Sequence, residues 1–326
     1  QNRGCLYSVP MSALNIGSHL KSLDSSATLS NTDVSIEITK ASDSVHSRIQ
    51  SAGVTKGFTV ISTPVEFDIK LTKGKNSTYV KEFGGYLERR IEATGDFESG
   101  MVSTVICYED NGTIRHIPTK KVTEDGKTYI VFKSRTNSTY AMIYAQNSFA
   151  DTQYHWAAPV ITDMANRKIL SGVNEATFNP DNFITRAEFA KVIVSALGLP
   201  EATTNSFRDV NSSDWFAGAV GAAFKNGLIQ GKASGIFDPN GLITRQEAMV
   251  IIKNAGLLAE IPEKSAYLTF PDAASLDIWA ESAAKYSVGN GLFSGYDDGK
   301  LYPKKNITRA QTATIVSNML KKADLI

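Results

Sequence analysis

The 326-residue sequence predicts a multidomain α+β protein, with an N-terminal antiparallel, β-sandwich-like domain (residues 1–147) and an all-α C-terminal half. Three observations carry this reading. A pattern of Trp, Gly sixteen residues on, Pro at twenty-four and Arg at thirty occurs three times, as Trp156/Gly172/Pro180/Arg186, Trp215/Gly231/Pro239/Arg245 and Trp279/Gly295/Pro303/Arg309. Repetition at fixed spacing decides the architecture before any single motif does. The residue grammar changes near Phe149, from short alternating apolar stretches with Asx-Gly turns to helical periodicity. No apolar run approaches the roughly 18 residues that a membrane-spanning helix needs.

The first half reads as strand and turn. Thr59, Ile61, Val65, Phe67, Ile69 and Leu71 lie in a β-rich stretch, and Met101–Tyr108 is β-branched and apolar. Asp110-Asn111-Gly112 marks a turn before Thr113–Ile117, and Glu124-Asp125-Gly126-Lys127 marks another between Lys121-Val122 and Tyr129–Phe132. Such turns suit hairpins of an antiparallel sandwich or barrel. Thr139–Ala145 closes the half, and residues 42–53 are a helix candidate.

The second half divides into units 148–203, 204–266 and 267–326, each introduced by Phe-x-Asp (Phe149/Asp151, Phe207/Asp209, Phe270/Asp272). A first helix begins near each Trp. Ile161, Val220 and Ala284, then Ala165, Phe224 and Val288, recur at helical spacing. The Gly at offset sixteen is expected to punctuate its C-terminus. An apolar anchor (Phe178, Phe237, Leu301) precedes the Pro. The second helix starts at Thr185-Arg-Ala-Glu188, Thr244-Arg-Gln-Glu247 and Thr308-Arg-Ala-Gln311, each with the form of a capping box. It continues as an amphipathic face, with Phe189, Val192, Ile193, Ala196 and Leu197 in the first copy. One unit of about 55 residues has too little core alone, so three are expected to pack around a shared apolar centre.

Arg186, Arg245 and Arg309 stand at the first helical position, where a cation meets the positive end of the helix dipole at a cost of about 0.3–1 kcal/mol. Three such residues suggest that an anion sits between the guanidinium and the free helix amides. With a Trp at fixed distance, an acidic saccharide suits the pair. Structural roles stand beside this reading. Each Arg can salt-bridge to an Asp that opens a unit, fixing that unit or joining neighbours, each Trp can belong to the core, and the Thr and Glu/Gln are caps.

On Phe-x-Asp, Trp-Ala, the Gly, Phe-x-Pro and Ile-Thr-Arg-Ala-Glu, residues 149–326 resemble the S-layer homology family. The resemblance implies a pseudo-threefold trimer of repeats that anchors an exported protein to the bacterial cell wall through a pyruvylated secondary cell wall polysaccharide. It implies binding grooves between repeats, lined by Arg186, Arg245 and Arg309 with Asp151, Asp209, Asp272, Trp156, Trp215 and Trp279, and flanked by Ser171, Gln230 and Ser294. Gln246 replaces the motif Ala, Gln230 a Ser, and Gln311 a Glu, so the three grooves are not expected to be equal. Residues 1–147 resemble only loosely the β-rich segments that precede such repeats.

The net charge of +1 gives no basic field for nucleic acid. His19, His46, His116 and His155 lack metal-ligand spacing, and neither a phosphate loop nor a nucleophile elbow occurs. No metal, cofactor or catalytic activity is expected within these residues. Cys5 and Cys107 permit one bridge or two free thiols. Asp297-Asp298-Gly299 reads as a turn or a cation loop. A sequence that opens on Gln reads as a mature product or a fragment. The expected location is the cell surface. The rival roles are a self-assembling lattice subunit and the anchor portion of a larger exported carbohydrate-active enzyme.

Overall fold

A computed structural model describes residues 4–93, 99–109 and 111–326. It contains two compact units, Gln1–Gln146 together with Leu325–Ile326, and Asn147–Asp324.

The first unit runs β1 (Cys5–Ser8), α1 (Ile16–Leu23), β2 (Asp33–Lys40), α2 (Asp43–Lys56), β3 (Thr59–Val60), β4 (Val65–Lys73), β5 (Asn76–Tyr79) and β6 (Glu82–Glu92). It continues with β7 (Thr104–Tyr108), β8 (Ile114–Ile117), β9 (Thr119–Glu124), β10 (Lys127–Thr136) and β11 (Thr139–Tyr144). One sheet has the order β1-β6-β10-β9. The other has β2-β4-β11-β7-β8, with β3 on β11 and β5 on β4. The pairings are antiparallel.

Period-2 alternation places Tyr140 and Met142 of β11 in a core shared with Phe67, Cys107, Ile130 and Phe132, so the two sheets contribute to one apolar layer. Ala141 and Ile143 point the other way, onto a cluster that includes Ile49 of α2. The expected helix forms as α2, capped by Ser42 and ended by Gly57 in the left-handed region. The Asp125-Gly126 turn forms, with both residues at positive φ and Glu124 paired to Lys127. Of the other turn, Asp110 lies outside the described residues. Both cysteines are free thiols, and burial pushes both up, against a smaller downward pull from the Arg89 and, for Cys107, Arg115 charges.

The second unit contains α3 (Ala158–Asn166), α4 (Arg186–Ala196), α5 (Ala217–Lys225), α6 (Arg245–Leu258), α7 (Ile278–Gly289) and α8 (Arg309–Lys322). Repeats one, two and three own α3/α4, α5/α6 and α7/α8. The first helix of each packs on a second helix from another repeat: α5 on α4, α7 on α6, and α3 on α8. Helices α4 and α6 also touch α8. The second helices are more deeply buried than an amphipathic face implies. Ala187, Ala190 and Val194 of α4 are buried along with Phe189, Val192 and Ile193, because neighbouring helices lie on several sides.

Two sequence expectations are corrected. The Gly at offset sixteen does not end the first helix. That helix ends at Asn166, Lys225 or Gly289, and the chain turns away just beyond it, where Lys168, Gly227 and Gly291 take positive φ. Gly172 is small because a Cβ there would lie 2.3 Å from the Asn174 carbonyl oxygen and 2.6 Å from the Phe149 ring. Gly231 and Gly295 meet the rings of Phe207 and Phe270 in the same way. In the first-helix stripe, Ile161, Val220, Ala284 and Ala165 are buried, whereas Phe224 is exposed and packs edge-on against Phe207.

Candidate functional site

The second helices begin as their sequence dictates. Thr185, Thr244 and Thr308 each accept from the N3 amide, and Glu188, Glu247 and Gln311 each accept from the Thr amide. The other amides of the first turn are not free. Those of Arg186 and Ala187 donate to the Gly241 and Pro239 carbonyls of the second repeat. Arg245 and Gln246 donate to Lys305 and Pro303 of the third, and Arg309 and Ala310 to Asn182 and Pro180 of the first. An anion held by free helix amides is therefore ruled out, since the next repeat's loop already satisfies the donors.

The three guanidinium groups follow the same order. Arg186 donates from Nε to the Phe237 carbonyl at 2.9 Å and from Nη2 to that of Gln230 at 3.3 Å. Arg245 reaches Leu301 at 2.8 Å and Ser294 at 2.9 Å. Arg309 closes the ring on the first repeat, at Phe178 (2.8 Å) and Ser171 (2.6 Å). The isoleucines before the caps are linked likewise. The Ile184 amide donates to Ile307, Ile307 to Ile243, and Ile243 to Ile184. Nothing in the local sequence signalled this chain of backbone bonds, because it joins residues that are far apart along the chain.

Each Arg is thus a buried fastener between repeats. Burial pulls all three guanidinium pKa values down. Glu247, Asp238 and Asp209 oppose this at Arg186, Tyr296 and Asp272 at Arg245, and Glu188 and Asp151 at Arg309. The Asp residues act on the Arg through space and bond to their own loops. Asp151 accepts from the Phe178 and Asn179 amides, Asp209 from Phe237 and Asp238, and Asp272 from Leu301 and Tyr302. Burial raises each carboxyl, but these hydrogen bonds outweigh it and leave all three below the ordinary value. They also hold Asn179, Asp238 and Tyr302 at positive φ, just before each Pro.

The indoles lie outside the core. Trp156, Trp215 and Trp279 are 64%, 57% and 56% exposed at the starts of first helices that pack on another repeat. Lys191 of α4 stands 4.9 Å from the centre of the Trp215 ring. Ser171, Gln230 and Ser294 meet the Arg through backbone carbonyls, and their own side chains face solvent. Gln246 reaches neither Arg nor groove mouth. It is buried and exchanges hydrogen bonds with Asp277, fixing the start of α7. Asp297-Asp298-Gly299 is a turn, closed by the Gly299 amide on the Tyr296 carbonyl.

The family model for the S-layer homology domain matches residues 148–190, 206–249 and 269–313. The C-terminal half carries three S-layer homology domains. Such domains are cell-wall anchors that bind cell wall polysaccharide, and they mark extracellular proteins of the cell surface. The chain is 34% identical over 60% of its length to an amylopullulanase of Thermoanaerobacterium thermosulfurigenes, covering 10% of that protein. It is 30% identical over 52% of its length to the surface-layer 125 kDa protein of Lysinibacillus sphaericus, covering 14%. With S-layer protein EA1 of Bacillus anthracis the values are 29%, 55% and 20%. The chain therefore spans between a tenth and a fifth of these relatives. No helix among the described residues is long and apolar enough to cross a membrane.

Proposed function

We propose that the three S-layer homology repeats form a pseudo-threefold trimer whose inter-repeat grooves hold an acidic, pyruvylated secondary cell wall polysaccharide. The observation that carries this reading is the cyclic order of contacts. Each Arg crosses to the loop before the next repeat's Pro, and an exposed Trp begins the helix packed beside it. A guanidinium whose Nε and Nη2 are fixed by carbonyls keeps Nη1 for a carboxylate, as Arg186 does for Glu247 at 3.2 Å. The open indole face offers a surface for a sugar ring. Arg186, Arg245 and Arg309 would supply the cation, and Trp156, Trp215 and Trp279 the platform. Asp151, Asp209 and Asp272 would set the loop, and the carbonyls of Ser171, Gln230 and Ser294 would set the guanidinium plane.

The module would hold a larger exported protein at the wall, with no catalytic step of its own. Amylopullulanase and S-layer relatives match it over the same kind of segment, so both an enzyme's anchor and a lattice subunit's anchor are consistent roles. Co-sedimentation with Gram-positive wall sacculi tests the reading. Binding is expected to intact sacculi and to vanish after acid extraction of the secondary polysaccharide. Equal binding to both preparations would overturn it.

A further inference from the structure

Three grooves built on one plan differ in charge at the two positions that face the Arg. The N3 residue of the repeat that receives the guanidinium is Glu247, Gln311 or Glu188, and the residue before its Pro is Asp238, Tyr302 or Asn179. At the junction of repeats one and two, Glu247 accepts from Arg186 Nη1 at 3.2 Å. Lys232 lies 3.1 Å from Asp238 and 3.9 Å from Glu247. Two cations there already face two carboxylates. At the junction of repeats three and one, Arg309 faces Glu188 at 3.8 Å.

The junction of repeats two and three has neither acid. Gln311 donates to the Tyr296 hydroxyl at 3.0 Å. The Tyr296 ring centre lies 4.7 Å from the Arg245 guanidinium and 4.8 Å from the Lys305 ammonium. Lys305 also lies 5.6 Å from the Tyr302 ring. Two cations are held together by aromatic faces, which attract each of them without cancelling their charge. Asp272 acts on Arg245 through space, but its carboxylate oxygens are taken up by the Leu301 and Tyr302 amides, as those of the matching Asp are in the other repeats.

We infer that the groove between repeats two and three is the one that takes the carboxylate of an acidic sugar, and that Gln311 selects it by leaving Arg245 without a built-in carboxylate. This rests on the acidic-saccharide reading above. A ligand carboxylate at the first groove has to displace Glu247 from Arg186, whereas the groups directly against the Arg245 guanidinium are the Leu301 and Ser294 carbonyls and the Tyr296 ring. Tyr296 and Tyr302 stand where the first repeat has Val173 and Asn179, so these cation-holding rings are particular to the third repeat.

The test exchanges the two N3 residues, each of which already serves as the cap in a sister repeat. The probes are a synthetic monosaccharide bearing a pyruvyl ketal and its methyl ester. They are titrated by calorimetry and by NMR of the Arg Nε–H signals, which report each groove separately. The Arg245 signal is expected to move first, and the ester to bind at least about tenfold more weakly. Gln311→Glu is expected to weaken the acid by a similar factor with an unchanged melting temperature. Glu247→Gln combined with Asp238→Asn is expected to bring the Arg186 signal into the same concentration range. Unaltered affinity in Gln311→Glu, or prior movement of Arg186 or Arg309, would overturn the inference and leave the acidic-saccharide reading standing. No movement of any Arg signal by the acid sugar in the wild-type chain would overturn both.

Discussion

Both units bury arginines, and they do so in opposite ways. Arg89 of the β unit is fully enclosed, 4.4 Å from the Tyr7 ring centre, 5.2 Å from Phe67 and 5.0 Å from Tyr140. It donates to the Leu87 and Thr136 carbonyls and to the Asn137 side chain. Its Nε has no hydrogen-bond partner among the described residues. Arg186, Arg245 and Arg309 also lie on carbonyls and aromatic or aliphatic anchors, but their Nη1 edges face groove residues that differ between copies. An arginine closed on every side can only hold its own fold together. One fixed along two edges holds neighbouring repeats together and keeps a third edge for chemistry that varies.

The comparison is broken most directly by truncation. Arg89→Ala is expected to cost about 3 kcal/mol or more, since it leaves buried acceptors unpaired beside a cavity that water cannot easily fill. Arg186→Ala, whose Gln230 and Glu247 partners lie nearer solvent although its Phe237 partner is buried, is expected to cost about 1–2 kcal/mol. Urea unfolding followed by signals of each unit measures both. Equal losses would mean that the open edge makes no energetic difference.

A smaller effect grades the repeats against one another. Gly172→Ala is expected to destabilise by about 1–3 kcal/mol, because the new Cβ meets rigid backbone oxygens. Gly295→Ala is expected to cost less, since its nearest backbone oxygen is 3.2 Å away and the closest atom belongs to the Phe270 ring. Thermal melting of the two variants ranks them, and a reversed order would count against the close-approach explanation.

The smallest effect is a pH dependence. Asp151, Asp209 and Asp272 are held below their ordinary value by the loop amides, against some desolvation. They therefore stabilise the fold fully above the unfolded-chain value of about 3.9, and that contribution is lost as pH falls through the lower folded values. The stability gap between wild type and Asp209→Asn is expected to narrow below about pH 4. A gap that stays constant from pH 6 to pH 2 would show that the loop amides do not favour the charged carboxylate.

Much of the repeat unit was legible in the sequence because its signals are local. Thr185 and Glu188 close a capping box over four residues, and the period of the Trp, Gly, Pro and Arg fixes the number of units. The offset-sixteen glycines are visible in the sequence, but their spacing does not separate a helix stop from a close approach to Phe149, because both select Gly. In the β unit, Asp125-Gly126 announced its hairpin. Strands β1, β2 and β6 carried no turn signal strong enough to delimit them, and β6 includes Arg89, whose burial no local pattern announces.

The sequence alone determined the three repeats, their capped second helices, their family and a β-rich region ahead of them, since these depend on residues close along the chain. Only the tertiary structure decided which repeat each Arg serves. Arg309 joins Phe178 and Ser171 across the length of the unit, and the Ile184, Ile243 and Ile307 amides link in a ring. It also decided that the helix amides are occupied, that the indoles face solvent and that Gln311 stands opposite Arg245's groove. Those facts depend on contacts between distant segments, which arise when three units, each short of a core, bury their apolar faces together.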